Sequence, residues 1–306
     1  MSQPPVEANP VAPTEATETR LLVSYGFDLA RQLGIQKVLV LANLVIDRKL
    51  VEKHRDRERL IWVTHEEDSS LKTSNEDYQV TIPESSFDRM DQLTLALMMA
   101  VMSSAVDVEE SVVCLTGTAG SKRLDTLLIA NPKRDFPWFA RTPADEEREQ
   151  LRSREFVRLI EIAVKLASEG REGKPIGTIL VLGETAEIEK HIRPLILNPC
   201  SGHPRRARNI HDPSFLETIR ELSAIDGAFV IDPKGVVEHA GVYLSAPLRK
   251  KIKIEKGLGS RHLAAVSLTG VANAIAIVVS ESSGRVTVYS QGAQVMALES
   301  RRASSN

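Results

Sequence analysis

Hydrophobic and polar positions along this chain fall into a regular pattern only after residue 18. The opening stretch 1–18 (M-S-Q-P-P-V-E-A-N-P-V-A-P-T-E-A-T-E) mixes four prolines with Ala, Thr and Glu and has no apolar period, so a disordered tail is expected there. From Leu21 apolar residues recur at helical spacing through Leu22, Phe27, Ala30 and Leu33, and Gly34 ends the run. A continuous apolar segment at 37–42 (K-V-L-V-L-A) reads as a buried strand, as do L-I-W-V-T at 60–64 and Y-Q-V-T-I-P at 78–83. Leu93, Leu95, Leu97, Met98 and Val101 mark a long apolar helix at 89–106, and further strands follow at 111–116 and 124–130. Strands alternating with helices across short polar connections predict a parallel sheet covered by helices, so residues 19–140 are expected to form a parallel-sheet α/β domain. Its most site-like piece is T-G-T-A-G-S at 116–121. A Gly-rich turn after a strand suits either an anion or an ordinary loop, and neither a P-loop nor a dinucleotide-binding glycine signature is present.

A charged, aromatic-free segment at 141–153 reads as a linker that runs into an amphipathic helix at 144–168, with Phe156, Leu159, Ile160, Ala163 and Leu166 or Ala167 on one face. Glycines in E-G-R-E-G at 169–173 end that helix, because glycine adopts the left-handed closing conformation at little cost. A buried strand flanked by glycines follows at 177–183, then a short helix near 185–192 and the segment N-P-C-S-G-H-P at 198–204. Arg205, Arg206 and Arg208 crowd together next, as a solvated loop or as contacts for phosphates or a partner chain. Asp212 is placed to cap a helix through Phe215, Ile219 and Leu222. The second domain is expected over 141–298, with a short tail at 299–306.

Chemistry concentrates between Asp226 and Gly292. A strand at 228–232 turns through D-P-K-G into a second strand at 236–240, since proline presets φ and glycine accepts a positive one. Asp226 lies just before the first strand, where a carboxylate serves either as a backbone cap or as a metal ligand or proton acceptor, and Gly227 and Ala228 are small enough for a ligand to approach the backbone. Gly259, Ser260, Arg261 and His262 lead into a helix and combine backbone N–H groups, a hydroxyl, a fixed positive charge and an imidazole, which together favour an anion such as phosphate. The apolar strand at 274–279 ends in Ser280 and Glu281 before a hairpin turn at 282–284. Glu281, like Asp226, falls at a strand end, so the two carboxylates are candidates to share a divalent cation.

Composition narrows the alternatives. With 306 residues there is chain enough for two cores, and a net charge of -2 with 4% aromatics argues against both nonspecific nucleic-acid binding and a base-stacking platform. Cys114 and Cys200 lie far apart with no metal-ligand spacing, so both are expected to be buried thiols. No apolar run reaches the roughly 18 residues that suggest a membrane span, and no leader pattern opens the chain, so a cytoplasmic location without a membrane partner is expected.

Three ordered elements, D-G-A at 226–228, G-S-R-H at 259–262 and V-S-E-S-S-G at 279–284, closely resemble the diadenylate cyclase domain, over roughly 150–295. The whole chain is similar to soluble archaeal-type cyclases, whose N-terminal α/β domain is akin to the C-terminal domain of pyruvate kinase. That resemblance implies a C-terminal mixed-sheet α/β cyclase domain that condenses two ATP into cyclic di-AMP and two pyrophosphates, with Mn²⁺ or Mg²⁺, in a homo-oligomer with facing sites. It also implies roles. Asp226 would activate the ribose 3′-hydroxyl with the metal, and Gly227 and Ala228 would line the nucleotide. Tyr243 and Leu244 would pack on adenine, Ser260, Arg261 and His262 would hold the triphosphate, and Ser280 and Glu281 would assist at phosphate and metal. The chain departs from the family at Leu263, where most members carry a second arginine, and at Thr269 and Asn273, where an acidic pair is common. Arg249, Lys250 or the arginines at 205–208 are candidates to replace the missing charge, and a nucleotide-binding regulator without turnover is the alternative reading.

Overall fold

Two sheets carry the fold, and in this computed structural model the described residues are 15–44, 48–65, 77–82, 88–118, 121–136, 145–172, 176–248 and 259–299. The first half runs α1 (Glu15–Leu33), β1 (Lys37–Leu41), α2 (Arg48–His54), β2 (Arg59–Thr64), β3 (Tyr78–Thr81), α3 (Arg89–Met102), β4 (Val112–Thr116), β5 (Thr126–Ala130) and α4 (Pro132–Asp135). Its strands order as β3-β2-β1-β4-β5, parallel throughout except that β5 returns antiparallel to β4. The expected parallel sheet therefore carries one antiparallel edge. The connection at 117–125 is too short for the crossover of about a dozen residues that a parallel return needs. Helix α1 starts at Glu15, inside the stretch expected as tail, because tertiary contacts hold its polar first turns: Arg123 pairs with Glu18 at 3.1 Å, and the Thr19 hydroxyl accepts the Leu124 N–H.

Helix α3 is buried from Asp91 to Met102. Asp88 caps it by accepting the Asp91 N–H at 2.9 Å. It touches β3 and β4 on one side, and on the other β12 (Ala293–Glu299) of the second sheet. One continuous apolar core consequently includes Leu39, Leu97, Phe156 and Val288.

The second half continues as α5 (Asp145–Leu151), α6 (Arg154–Glu169), β6 (Thr178–Gly183), α7 (Thr185–Ile188), β7 (Ile192–Pro194), α8 (Pro213–Leu222), β8 (Ala228–Ile231), β9 (Val237–Leu244), α9 (Ser260–Thr269), β10 (Ala274–Val279), β11 (Arg285–Ser290) and β12. The single helix expected at 144–168 is two, because Ser153 accepts the Phe156 N–H and restarts the chain as α6. Strand order is β12-β11-β10-β6-β8-β9-β7, with β6 and β8 parallel and the remaining pairs antiparallel. The α/β class thus comprises one mostly parallel and one mostly antiparallel sheet. Strands β7 and β12 form the two edges, and β12 extends to Glu299, the residue at which a tail was expected to begin.

The D-P-K-G turn forms as anticipated. Gly235 sits at φ +77° and donates to the Asp232 carbonyl, while one Asp232 carboxylate oxygen accepts the Lys234 and Val236 N–H groups. Cys114 and Cys200 are both buried, and desolvation raises the pKa of each thiol. Among the described residues no helix is long and apolar enough to cross a membrane.

Candidate functional site

The central parallel pair β6 and β8 positions the site, because three different connections end beside it. Asp226 and Gly227 precede β8, whose Ala228 pairs with Val242 of β9. Gly227 adopts φ +128°, and a Cβ there would lie 3.0 Å from the Gly241 backbone, so only glycine lets β8 close against β9 at this point. Helix α9 begins at Ser260, earlier than the periodicity suggested, which puts Ser260, Arg261 and His262 in its first turn. Its N-cap Gly259 would find nothing within 4 Å of an added Cβ, so the backbone there is open to approach.

Arg261 is the hub. Its Nη2 donates to Asp226 Oδ1 at 2.9 Å and its Nη1 to Glu281 Oε2 at 3.4 Å, so one guanidinium spans the two carboxylates that sequence alone could only suggest were neighbours. The Asp226 and Glu281 side chains remain 83% and 60% exposed against 30% for Arg261, which leaves carboxylate oxygen accessible to a ligand. Gly177, just before β6, makes room for this arrangement: a Cβ there would lie 2.6 Å from Arg261 Nη1 and 2.9 Å from both Arg261 Cζ and Glu281 Cβ.

Three depressions meet at Arg261. A small recess of about 110 Å³ is bordered by Gly227, Ala228, Tyr243, Leu244 and Ser260, with Asp226 and Arg261 at its rim. A larger cleft of about 740 Å³ runs between the first turn of α9 and the β10–β11 turn, and includes Gly259, His262, Ser280, Glu281 and Arg285. A third, of about 410 Å³, opens past Gly177 toward Arg171. The candidate residues therefore divide into an apolar-edged recess and a polar cleft, joined by the Asp226–Arg261–Glu281 chain. His262 hydrogen-bonds through Nδ1 to the Tyr289 hydroxyl at 2.9 Å, with the rings edge to face. Burial, reinforced by the nearby charge of Arg285, pushes its pKa below the ordinary histidine value, so it is neutral at neutral pH.

Two arginines of the cluster have structural roles. Arg205 pairs with Asp232 and Glu238, and Arg208 with Glu238 and the Val237 carbonyl, which locks a short 3₁₀ turn onto β9. Arg249 and Lys250 lie outside the described residues, as do Ala119 and Gly120 of the Gly-rich turn. What is described of that turn has a packing explanation, since a Cβ on Gly117 would stand 2.3 Å from the Arg123 carbonyl oxygen. Reading by motif missed Gly177 as a seat for Arg261, Tyr289 as the partner of His262, and Arg285 as a lining residue. Only Gly177 left a trace in the sequence, as a glycine flanking a strand.

Among the described residues no cluster of three or more His, Cys, Asp or Glu forms a cage for a metal ion. Asp226 and Glu281 nevertheless fit a hard divalent cation of the kind held by one or two carboxylates and completed by water and substrate phosphate oxygens.

In a comparison with known proteins, residues 165–294 match the family described as "DisA bacterial checkpoint controller nucleotide-binding". Residues 18–131 match the family described as "Probable sensor domain DacZ_P". A protein named diadenylate cyclase from Methanocaldococcus jannaschii is 34% identical over 240 residues, which span 78% of this chain and 76% of that one. Another of the same name, from Haloferax volcanii, is 29% identical over 68% of this chain and 75% of its own length. Among solved structures, DacA from Staphylococcus aureus matches at 23% identity and a TM-score of 0.30, over 49% of this chain and 87% of that chain.

Proposed function

The chain belongs to the diadenylate cyclase family, and we propose that the residues gathered around Arg261 join two ATP into cyclic di-AMP. In each half-reaction a ribose 3′-oxygen attacks the α-phosphorus of the facing ATP. The new P–O bond forms as the bond to the β-phosphate bridging oxygen breaks, the hydroxyl proton leaves, and pyrophosphate departs. Two such steps close the ring. The observation that carries this reading is the single guanidinium held between Asp226 and Glu281 where recess and cleft meet.

Adenine enters the recess, where Tyr243 and Leu244 supply apolar surface and Gly227 and Ala228 admit the ring against the backbone. This sets the ribose beside Asp226, whose exposed carboxylate takes the 3′-hydroxyl proton or orients that hydroxyl. Arg261 neutralises charge at the α-phosphate, a task of positioning and electrostatics more than of covalent chemistry. The triphosphate continues along the first turn of α9, where Gly259 and Ser260 present backbone and hydroxyl donors and Ser280 faces them. His262, neutral and fixed by Tyr289, serves as a hydrogen-bonding group there and not as a cation. Asp226 and Glu281 would hold Mn²⁺ or Mg²⁺, which would supply Lewis-acid stabilisation of the phosphate and ease loss of the hydroxyl proton.

One recess takes one ATP, so two chains must present their sites to each other, and a homo-oligomer follows from the reaction. Residues 19–140 act as a regulatory or oligomerising unit for residues 141–298, a reading that the match of 18–131 to a sensor family supports. The test is incubation of the full chain with ATP and Mn²⁺ or Mg²⁺, mass detection of cyclic di-AMP, and solution mass by light scattering. ATP binding with no cyclic product under either metal would replace the cyclase reading with that of a nucleotide-binding regulator. Turnover by a strictly monomeric species would refute the facing-site arrangement.

A further inference from the structure

We propose that Arg261 stands in for the divalent cation between Asp226 and Glu281, so that the site turns a bare cation away and takes it only together with a triphosphate. The inference rests on the reading of the site as an ATP site and names the species that enters it.

Asp226 borders the recess and Glu281 borders the cleft, but the depression that both of them line is the third, of about 410 Å³. A cation shared by the two carboxylates belongs there, and Arg261 lines that depression as well. Gly177 on the same wall adds no side chain, and a Cβ there would lie 2.6 Å from Arg261 Nη1, so the guanidinium reaches the carboxylates past it. Its bonds to Asp226 Oδ1 at 2.9 Å and Glu281 Oε2 at 3.4 Å bring to both carboxylates the positive charge that a cation would otherwise supply.

Two carboxylates beside one guanidinium attract a cation about as one carboxylate does, and the number and charge of its ligands set how tightly a hard divalent ion is held. Arg171 also lines the depression, but it pairs with Glu221 at 2.7 Å and has Glu172 beside it, so Arg261 governs the local field. Arg261 opposes a bare cation whether the ion takes carboxylate oxygen from it or lies within a few Å of it. A bare triphosphate meets the opposite difficulty, because it draws the guanidinium toward its own oxygens and leaves Asp226 and Glu281 facing like charge. When both arrive together, partners are exchanged: Arg261 turns to phosphate oxygen, and the carboxylates turn to the cation. The 3.4 Å contact to Glu281 is the weaker of the two and the first to yield. Each ligand removes the obstacle to the other, which is positive coupling within one site. Both carboxylates are exposed, so the dielectric is close to that of water, and repulsion between a guanidinium and a divalent ion a few Å apart amounts to about tenfold in affinity.

Mn²⁺ binding to the full chain without nucleotide, read from the electron paramagnetic resonance of the free ion, tests this role. R261Q is expected to bind Mn²⁺ about tenfold more tightly than the parent although it loses a residue of the site, and R261Q/D226N should lose that gain. In the parent, calorimetry should give α,β-methylene ATP a Kd at least about tenfold lower with Mn²⁺ than with EDTA, and R261Q should show a smaller ratio. Mn²⁺ affinity in R261Q equal to or weaker than the parent's overturns the proposal, as does a gain that survives Asp226→Asn. Should R261Q fail to fold, the parent decides: equal Kd values for the analogue with Mn²⁺ and with EDTA also overturn it. Tighter Mn²⁺ in R261Q from a parent that makes no cyclic di-AMP would refute the cyclase reading and leave this role of Arg261 in place. Normal product formation by the parent, with Mn²⁺ affinity unchanged in R261Q, would refute this role alone.

Discussion

Replacing Gly177 with alanine tests whether the placement of Arg261, and not merely its charge, sets the rate. The new methyl carbon would stand 2.6 Å from Arg261 Nη1, and ordinary contact begins near 3.4 Å, so the guanidinium must retreat by about 0.8 Å. Glu281 cannot absorb the strain by staying put, because its Cβ lies 2.9 Å from the same position. A retreat of that size breaks the 2.9 Å contact to Asp226 or the already long 3.4 Å contact to Glu281. Misplacement of a reacting group by about 1 Å can cost on the order of a hundredfold in rate, whereas deleting a donor to the transition state costs about 10²–10³. Gly177→Ala should therefore lower kcat for cyclic di-AMP by about tenfold to a hundredfold, and Arg261→Ala by more. Thermal stability should fall as well but only modestly: the Arg261 side chain can swing outward and Gly177 has no positive φ for alanine to strain, whereas the Glu281 Cβ is fixed to its backbone, which must shift to make room. The assay is initial-rate product formation by mass detection alongside a thermal melt. Two results would refute the reasoning: a folded Gly177→Ala that turns over within twofold of the parent, or a Gly177→Ala/Arg261→Ala double variant clearly slower than Arg261→Ala alone.

Further outcomes follow from the same site. Asp226→Asn should abolish turnover while sparing ATP affinity more than Arg261→Ala does, as read by steady-state rates and calorimetry; near-parent activity would remove the role given to that carboxylate. Tyr243→Ala should weaken ATP binding by about 1–3 kcal/mol, the range for loss of an aromatic face under a base; unchanged affinity would place adenine elsewhere. His211 and His262 both have pKa values depressed chiefly by burial. The unfolded chain therefore binds more protons than the folded one between the lowered values and the ordinary value near 6.5, and stability should fall as pH drops through that window. Melts from pH 7.5 to 5.5 should show the decline, and His211→Gln with His262→Gln should flatten it; an equal slope in both proteins would contradict the assignment.

How far the sequence was legible depended on the range of the interactions involved. Asp226, Gly227, Ser260 and Glu281 announced themselves by local chemistry at strand and helix ends, and the D-P-K-G turn by the φ demands of its own residues. The start of α1 did not, since its polar first turns are held by Arg123 and Leu124 more than a hundred residues away. Arg205 and Arg208 were left open between a solvated loop and a ligand contact because their partners, Asp232 and Glu238, arrive on a hairpin that composition cannot place beside them. Gly177 left only its place beside a strand, and Arg285 no mark at all, for a related reason. Each acts by standing next to the first turn of α9, and adjacency across a sheet leaves no periodic mark.

Helix α3 has a consequence for how this protein can come apart. Its apolar side chains fill space between β3 and β4 on one side and β12 on the other, so neither sheet has a complete interior without it. A wall shared by two rooms cannot be removed with one of them. Loosening the first half should strip cover from β12, which is hydrogen-bonded to the strand bearing Arg285 and Tyr289. Denaturation should then appear as one transition for both sheets, and a destabilising change in the amino-terminal half would be felt at β11 beside the site.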